Sequence, residues 1–223
     1  MSDLQTRIKH VQERISRAAA RSGRDAVGLV AVTKTVPAET VREACVLGLT
    51  VFGENRVQEA LPKVEAVPEA DWHFIGRLQT NKVKDVLGKF TLIHSLDRWK
   101  LAKVIQKEAA ERDLSVRVLV QVNIAGEKQK GGIAPSELAD FLCDVSTLTH
   151  LRVAGLMAIP PFTDHPEEVR PYFKEMAHLF QNLRIPGIGM EILSMGMTGD
   201  FEVAVEEGAN LVRIGSALFG GRN

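Results

Sequence analysis

Short apolar runs alternate with amphipathic segments along most of the chain, and this alternation predicts the fold. Runs that are apolar on both faces are typical of parallel strands covered by helices on each side. Eight such runs occur: GLVAVT (28–33), TVFG (50–53), WHFIG (72–76), TLIHSL (91–96), RVLVQVN (117–123), RVAGLMAI (152–159), EILSMG (191–196) and LVRIG (211–215). Eight strand and helix units predict a closed (β/α)8 barrel, the TIM barrel architecture.

The segments between the runs show helical spacing. The predicted helices cover residues 37–47, 55–66, 80–87, 97–112, 135–147, 166–184 and 199–207. An extra N-terminal helix is predicted by apolar residues spaced three and four apart, namely Leu4, Ile8, Val11, Ile15 and Ala18. Ser2 and Gln5 indicate a capping box at its start, and Gly23 indicates its end.

An open doubly wound sheet is the alternative to the barrel. Such a sheet usually carries a glycine-rich turn after its first strand, but here the first run is followed by Lys34, Thr35, Val36 and Pro37. There is no GxGxxG and no Walker A motif, which favours the barrel. Since no linker or composition shift interrupts the pattern, a single domain over residues 1–223 is expected.

The charge balance points to a small-molecule ligand. Lys plus Arg and Asp plus Glu both total 28, so no global field attracts nucleic acid or an anionic membrane. The chain has no signal-peptide core and no apolar run long enough to span a membrane, so a cytoplasmic protein is expected. Cys45 and Cys143 have no partner at metal-ligand spacing and are interpreted as buried thiols, with no metal site.

Chemistry in (β/α)8 barrels lies at the carboxyl ends of the strands, which directs attention to Lys34. It ends a run in which Leu29 to Val32 are all apolar, so its amine is expected to enter the barrel mouth from a dry wall. Burial disfavours the ammonium form, as an imine-forming lysine requires. The alternative is a lysine that extends into solvent at a strand end.

The loops after the seventh and eighth runs have the composition of an anion cradle, which barrels often place there. Gly196, Gly199 and Gly215 let the backbone approach an anion, and Ser194 and Ser216 can donate from N–H and O–H groups. The alternative is a pair of ordinary turns with helix caps. The loops are SMGMTGD and RIGSALFGG, residues 194–200 and 213–221.

Arg213 closes the eighth run and cannot readily lose its proton, so an inward-facing Arg213 needs an anion or a strong acceptor. A structural pair with Glu191 or Asp200 is the alternative. A lysine at one strand end and an anion cradle across the mouth suit a ligand with an aldehyde and a phosphate. Pyridoxal 5′-phosphate has both groups.

With these motifs the chain resembles the pyridoxal phosphate homeostasis proteins, single-domain relatives of the bacterial alanine racemase barrel, over nearly its whole length. The segments that carry the resemblance are AVTKT (31–35), FGENRVQE (52–59), WHFIGRLQTNK (72–82), GLMAI (155–159) and LSMGMTGDFEVAVEEGANLVRIGSALFG (193–220). The resemblance implies that Lys34 is the Schiff-base lysine and that Asn55 adjoins the cofactor. It also implies that Ser194, Gly215 and Ser216 form the phosphate cradle.

The resemblance further implies that Arg213 faces the pyridine nitrogen of the cofactor. A cation there keeps the nitrogen unprotonated and makes the ring a weak electron sink, which suits a carrier better than a catalyst. Met157 stands where racemases place a ring-contacting histidine, and it either packs on the cofactor or fills the barrel. His73 is placed on the rim of the mouth, and His94 outside the site.

The departures from the racemase pattern favour a carrier. Racemases continue into a β domain with a catalytic tyrosine, whereas this chain ends soon after Arg213 and its single tyrosine, Tyr172, is expected to be a packing residue. The expected function is to hold, buffer or deliver pyridoxal phosphate to apoenzymes, as a monomer with little or no catalysis. The alternatives are a weak racemase that uses Lys34 as its one base and a cofactor-free Schiff-base aldolase.

Overall fold

The computed structural model describes residues 2–24, 26–127 and 129–220, and a closed parallel barrel forms its centre. Within these residues eight strands pair in chain order, and β8 closes on β1. The strands are β1 (Gly28–Val32), β2 (Val51–Glu54), β3 (Asp71–Phe74), β4 (Leu92–Leu96), β5 (Val116–Val122), β6 (Leu151–Ala158), β7 (Ile192–Ser194) and β8 (Leu211–Ile214). The barrel prediction is confirmed, and the open-sheet alternative is wrong.

Helices cover the outside of the barrel. In the described ranges they are α1 (Asp3–Arg21), α2 (Ala38–Val46), α3 (Val57–Ala66), α4 (Val83–Val86), α5 (Trp99–Ala110), α6 (Leu138–Ser146), α7 (Arg170–Asn182), α8 (Phe201–Glu206) and α9 (Ser216–Phe219). Short 3-10 turns precede α4, α6 and α7. The helix α9 is not predicted from the sequence, because four residues are too few to show a helical period. Across these same ranges, none of the helices is both long and apolar enough to cross a bilayer.

The N-terminal helix α1 packs against the helices that follow β7 and β8. Ser2 caps it as expected, since its hydroxyl accepts the N–H of Gln5 at 3.2 Å. Arg14 on α1 pairs with Glu202 on α8 at 2.8 Å and lies over the ring of Phe201. The extra helix therefore braces the last part of the barrel, where the predicted anion cradle lies.

Side chains alternate between the outside and the inside of the barrel wall. Phe52, Trp72 and Phe74 belong to the large core between strands and helices. A small apolar cluster fills part of the barrel interior; it contains Leu92, Leu119, Ala154 and Met157. Polar side chains of β3, β4, β7 and β8 are buried as well, among them His73, His94, Ser194 and Arg213. The barrel interior is therefore partly apolar and partly hydrogen bonded.

The cysteines depart from expectation. Cys45 on α2 is only partly buried, and Cys143 on α6 is exposed. The buried face of α6 passes through Phe141 and Leu142, so the next residue is turned to solvent. The prediction of two buried thiols is therefore wrong.

Candidate functional site

A cavity of about 1260 Å³ opens at the carboxyl ends of the strands. Typical small-molecule pockets measure roughly 300–1,000 Å³, so the mouth has room for a ligand and for access to it. Six of the residues predicted for the site line the cavity: Lys34, Asn55, Gly199, Arg213, Gly215 and Ser216. The fold thus brings together residues far apart in the chain.

Lys34 lies on a tight turn just beyond β1. The turn is closed by the Val36 N–H, which donates to the Thr33 carbonyl at 2.9 Å. Thr35 has a φ of 65°, a left-handed conformation that is unusual for a β-branched residue and that stores strain. Lys34 itself is exposed, whereas Val32 below it is buried. The expectation of a buried amine is therefore wrong, because the turn lifts Lys34 above the apolar wall.

A buried ion pair lies under this turn. The Lys63 ammonium on α3 donates to Glu54 Oε1 and to the Thr33 carbonyl, both at 2.6 Å. The Thr33 hydroxyl donates to the same Glu54 oxygen at 2.7 Å. Since Thr33 precedes Lys34 and Glu54 precedes Asn55, the pair fixes both strand ends that carry those site residues.

Neither member of this pair is predicted from the sequence, although a sign of it exists. Lys63 falls in the buried stripe of α3, with Val57 and Ala60. A lysine in a buried stripe requires a charged or strongly polar partner. Glu54, which is fully buried at the end of β2, provides that partner.

Asn55 is held at the mouth by a close backbone contact. A Cβ atom built on Gly76 would lie 2.1 Å from the Asn55 carbonyl oxygen, so only glycine fits beside it. Within the described residues, the side-chain oxygen Oδ1 of Asn55 is buried without a hydrogen-bond partner. A buried acceptor of this kind favours a ligand that brings a donor.

Arg213 is a buried cation, and its hydrogen-bond partners among the described residues are all neutral. Its Nη1 donates to the Ser194 carbonyl at 2.9 Å and to the Ser194 hydroxyl at 2.6 Å, and its Nη2 donates to the Ala158 carbonyl at 2.9 Å. Burial lowers the pKa of Arg213 to about 10, although the charge of Asp200 opposes the shift. The guanidinium therefore stays charged at neutral pH and lines the cavity.

The two carboxylates proposed as structural partners for Arg213 are occupied elsewhere. Glu191 binds Arg117 at 3.1 Å and also binds Arg152. Asp200 Oδ1 accepts the Met197 N–H at 2.6 Å, and burial raises the pKa of Asp200. The direct ion pair considered for Arg213 is therefore wrong for both residues.

The loops after β7 and β8 meet at one side of the cavity. Gly215 packs closely on β1, because an added Cβ would lie 3.3 Å from the Val32 carbonyl oxygen. The Gly215 carbonyl accepts the N–H groups of Leu218 and Phe219, each at 2.9 Å. The N–H groups of the first residues of α9 are then the free donors of a helix start, beginning with Ser216. Thr198 and Gly199 line the cavity from the β7 side.

Ser194 and Gly196 contact other residues of the barrel in the structure. The Ser194 hydroxyl accepts from Arg213 and lies 3.1 Å from His94 Nδ1. Gly196 has a φ of 94°, and an added Cβ would lie 2.6 Å from the Cβ of Ala204. Neither residue lines the described cavity wall, which this loop reaches from Met197 onward, so the contacts of Ser194 and Gly196 with an anion stay predictions.

Met157 and His73 also lie below the cavity. Met157 is fully buried in the interior apolar cluster and fills the barrel, the second of the two roles considered for it. His73 lies 3.6 Å from Asp71, the first residue of β3, near the end of the barrel opposite the mouth. Its placement on the rim is wrong, because the residues that line the cavity here are Ile75 and Gly76, which follow β3.

His94 lies outside the cavity, as expected, but it connects two residues of the barrel interior. Its Nδ1 lies 3.1 Å from the Ser194 hydroxyl and its Nε2 lies 3.1 Å from His73 Nδ1. Complete burial holds the pKa of His94 well below its usual range, and nearby His73 and Arg213 act in the same direction. His94 is therefore neutral, and its hydrogen bonds were not predicted by its strand position alone.

The fold and the cavity agree with comparisons to known proteins. The sequence model of the family called alanine racemase, N-terminal domain, matches residues 7–223, so the chain belongs to that family. An Aquifex aeolicus protein named pyridoxal phosphate homeostasis protein is 50% identical over 97% of both chains. The chain is thus a member of the pyridoxal phosphate homeostasis proteins within that family, and the resemblance noted in the sequence is confirmed.

Solved structures agree with this assignment. PipY of Synechococcus elongatus, solved without pyridoxal phosphate, has a TM-score of 0.88 at 34% identity, with coverage of 98% of this chain and 100% of PipY. PipY has also been solved with pyridoxal phosphate bound, and that structure has a TM-score of 0.84. Alanine racemase from Corynebacterium glutamicum, at 15% identity and a TM-score of 0.75, shares the fold; the match covers 98% of this chain and 62% of the racemase.

Proposed function

We propose that this protein binds pyridoxal 5′-phosphate in the mouth cavity, attached to Lys34 as a Schiff base, and takes part in intracellular homeostasis of that cofactor. The observation that carries the proposal is that Lys34, Arg213 and the β8 loop line one cavity. The PipY structure with bound pyridoxal phosphate supports it, because PipY is 33% identical over 98% of this chain.

The residues of the cavity fit the chemical groups of the cofactor. The exposed amine of Lys34 is accessible to an aldehyde, and the buried Asn55 oxygen can accept from a ring hydroxyl. Gly215 and Ser216 offer backbone donors to a phosphate at the start of α9, together with Thr198 and Gly199 across the cavity. When bound, the cofactor supplies a reactive aldehyde and an electron-withdrawing ring.

Arg213 is proposed to face the pyridine nitrogen. Its guanidinium remains charged and has no carboxylate contact among the described residues, so it can donate to a neutral ring nitrogen. A permanent cation at that position disfavours protonation of the nitrogen, which keeps the ring a weak electron sink. Chemistry beyond exchange of the Schiff base is then slow.

We also propose that the protein holds, buffers or delivers the cofactor with little or no catalysis. The described residues that line the cavity include neither histidine nor tyrosine, and Tyr172 is a packing residue on α7. The same proposal includes pyridoxal-phosphate apoenzymes as recipients. It places the protein in the cytoplasm as a monomer with one domain.

If the protein has little or no catalytic activity, it is not expected to racemise amino acids. Purified protein loaded with pyridoxal phosphate and given single L-amino acids is expected to form the D-enantiomer no faster than the Lys34→Ala variant, because neither histidine nor tyrosine lines the described wall of the cavity. Chiral chromatography of the product measures this. Sustained turnover by wild type, lost in Lys34→Ala, contradicts the carrier role and supports the racemase.

Replacement of Arg213 with alanine is expected to preserve the absorption band of the Lys34 Schiff base but to speed loss of the cofactor by about tenfold, because one charge-assisted hydrogen bond is lost. The release rate is measured by rapid gel filtration followed by absorption. Arg77→Ala is the matched control, since Arg77 lines the same mouth but its side chain is 69% exposed. Absence of the band in Arg213→Ala contradicts the assigned role.

A further inference from the structure

A line of buried polar side chains runs through the barrel from Arg213 to the end opposite the cavity. Arg213 Nη1 donates to the Ser194 hydroxyl at 2.6 Å, and that hydroxyl lies 3.1 Å from His94 Nδ1. His94 Nε2 lies 3.1 Å from His73 Nδ1, and His73 Nε2 lies 3.6 Å from Asp71 Oδ2. Four strands, β8, β7, β4 and β3, each contribute to this line.

The middle of the line is closed to solvent, and its two ends lie at the cavity and at Asp71. Ser194 and His94 are fully buried, Arg213 is 4% exposed and His73 is 7% exposed. The Asp71 side chain is 44% exposed, and its contact with His73 lowers the pKa of Asp71. The line therefore joins a buried cation at the cavity to an ionised carboxylate at the far end.

The directions of the hydrogen bonds follow from the two charged ends. An ionised carboxylate repels a nitrogen lone pair, so His73 Nε2 carries its proton and a neutral His73 has a free lone pair on Nδ1. His94 Nε2–H then donates to that lone pair, which leaves His94 Nδ1 as an acceptor. The Ser194 hydroxyl donates to His94 and accepts from Arg213. Every donor points from Arg213 toward Asp71.

The one competing arrangement has a charged His73. An imidazolium at His73 would donate from Nδ1 to His94 Nε2, and His94 Nδ1–H would then donate to Ser194. That arrangement places a second cation in the barrel interior, in line with the charge of Arg213. The neutral arrangement avoids this repulsion and keeps one positive and one negative end.

We propose that Ser194, His94, His73 and Asp71 are positioning residues for Arg213: hydrogen bonds join Arg213, Ser194, His94 and His73, and a charge contact of 3.6 Å joins His73 to Asp71, with every N–H and O–H directed toward Asp71. The carboxylate of Asp71 thereby acts as the remote counter-charge of the cavity arginine. The chain holds the guanidinium in one orientation toward the bound ligand. The tautomers of His73 and His94 can be measured without any ligand, whereas the effect on a bound ligand rests on the proposed function.

The first test needs no ligand. In ¹⁵N NMR spectra of the ligand-free protein at neutral pH, His73 and His94 are expected to be neutral with the proton on Nε2 in both rings. Assignment uses His73→Phe and His94→Phe, each of which removes one set of signals. A proton on Nδ1 of either ring, or a doubly protonated His73, overturns the proposed direction of the chain.

The second test measures the effect on the cavity with pyridoxal phosphate as the probe. Asp71→Asn removes the charge at the far end, and it is expected to speed release of the probe by about fivefold while the absorption band persists. Asp140→Asn is the matched control, because it makes the same substitution at an exposed carboxylate on α6. Equal release rates in Asp71→Asn and wild type overturn the positioning role.

The two tests separate the inference from the proposed function. If wild type fails to bind pyridoxal phosphate, the proposed function fails. The tautomers of His73 and His94 still decide whether the proposed line of hydrogen bonds exists. If wild type binds the probe but the tautomers differ from those expected, the chain fails alone. Thermal unfolding of each variant shows whether a faster release reflects loss of the fold.

Discussion

Lys34→Ala is expected to abolish the near-visible absorption band that develops when the wild-type protein is mixed with pyridoxal phosphate. The band requires a covalent bond between an amine and the cofactor aldehyde, and we propose that the exposed amine of Lys34 provides it. Retention of the cofactor through gel filtration is expected to fall by about a hundredfold or more, since the remaining contacts are noncovalent. Absorption spectroscopy before and after filtration measures both effects.

Lys130→Ala is the matched control for that experiment. Lys130 lines the same cavity, but its ammonium binds Glu127 at 2.5 Å and the Pro160 carbonyl at 3.0 Å. The band is expected to persist in this variant. A band that survives in Lys34→Ala and disappears in Lys130→Ala means that the wrong lysine has been assigned.

Lys63→Met is expected to lower the free energy of unfolding by about 3–5 kcal/mol, because it leaves Glu54 as a buried charge without a counter-ion. Glu54 is fully buried, and its Oε2 is already without a partner among the described residues. Urea denaturation followed by circular dichroism measures the change. The variant is also expected to bind pyridoxal phosphate more weakly, because Thr33 loses the contact that fixes the Lys34 turn.

Two variants control for this effect. Lys107→Met removes a lysine whose side chain is 73% exposed, and it is expected to change stability by less than about 0.5 kcal/mol. The double variant Lys63→Met, Glu54→Gln removes both charges and is expected to recover much of the lost stability. If Lys63→Met is as stable as Lys107→Met, the buried pair does not support the turn.

The sequence predicts the barrel well because each strand is covered on both sides. A strand such as β5 is apolar over most of its length and is followed by a helix of different period, so the alternation of elements is visible in the residue order alone. Lys34, Arg213 and Gly215 are found by the same logic, because carboxyl ends of parallel strands meet at one mouth. Lys34 and Arg213 are recognisable because each places a positive charge at the end of an apolar run.

The depth of a residue inside the barrel is less accessible to sequence reasoning. Ser194 ends β7 and His73 lies one residue before the end of β3, but both side chains are buried below the cavity. For Lys34 the predicted depth is wrong in the opposite direction: the side chain was expected to be buried, but the turn after Val32 raises it toward solvent. Contacts between elements, such as Lys63 with Glu54, depend on helix placement, which local periodicity does not encode.

The proposal that Lys34 carries pyridoxal phosphate is tested by locating the covalent bond in the protein. Wild-type protein mixed with pyridoxal phosphate is reduced with borohydride, which converts the Schiff base into a stable amine, and is then digested and analysed by mass spectrometry. A pyridoxyl group is expected on the peptide that contains Lys34, at that residue. A label on Lys130 or another lysine with Lys34 unmodified, or no label at all, would contradict it.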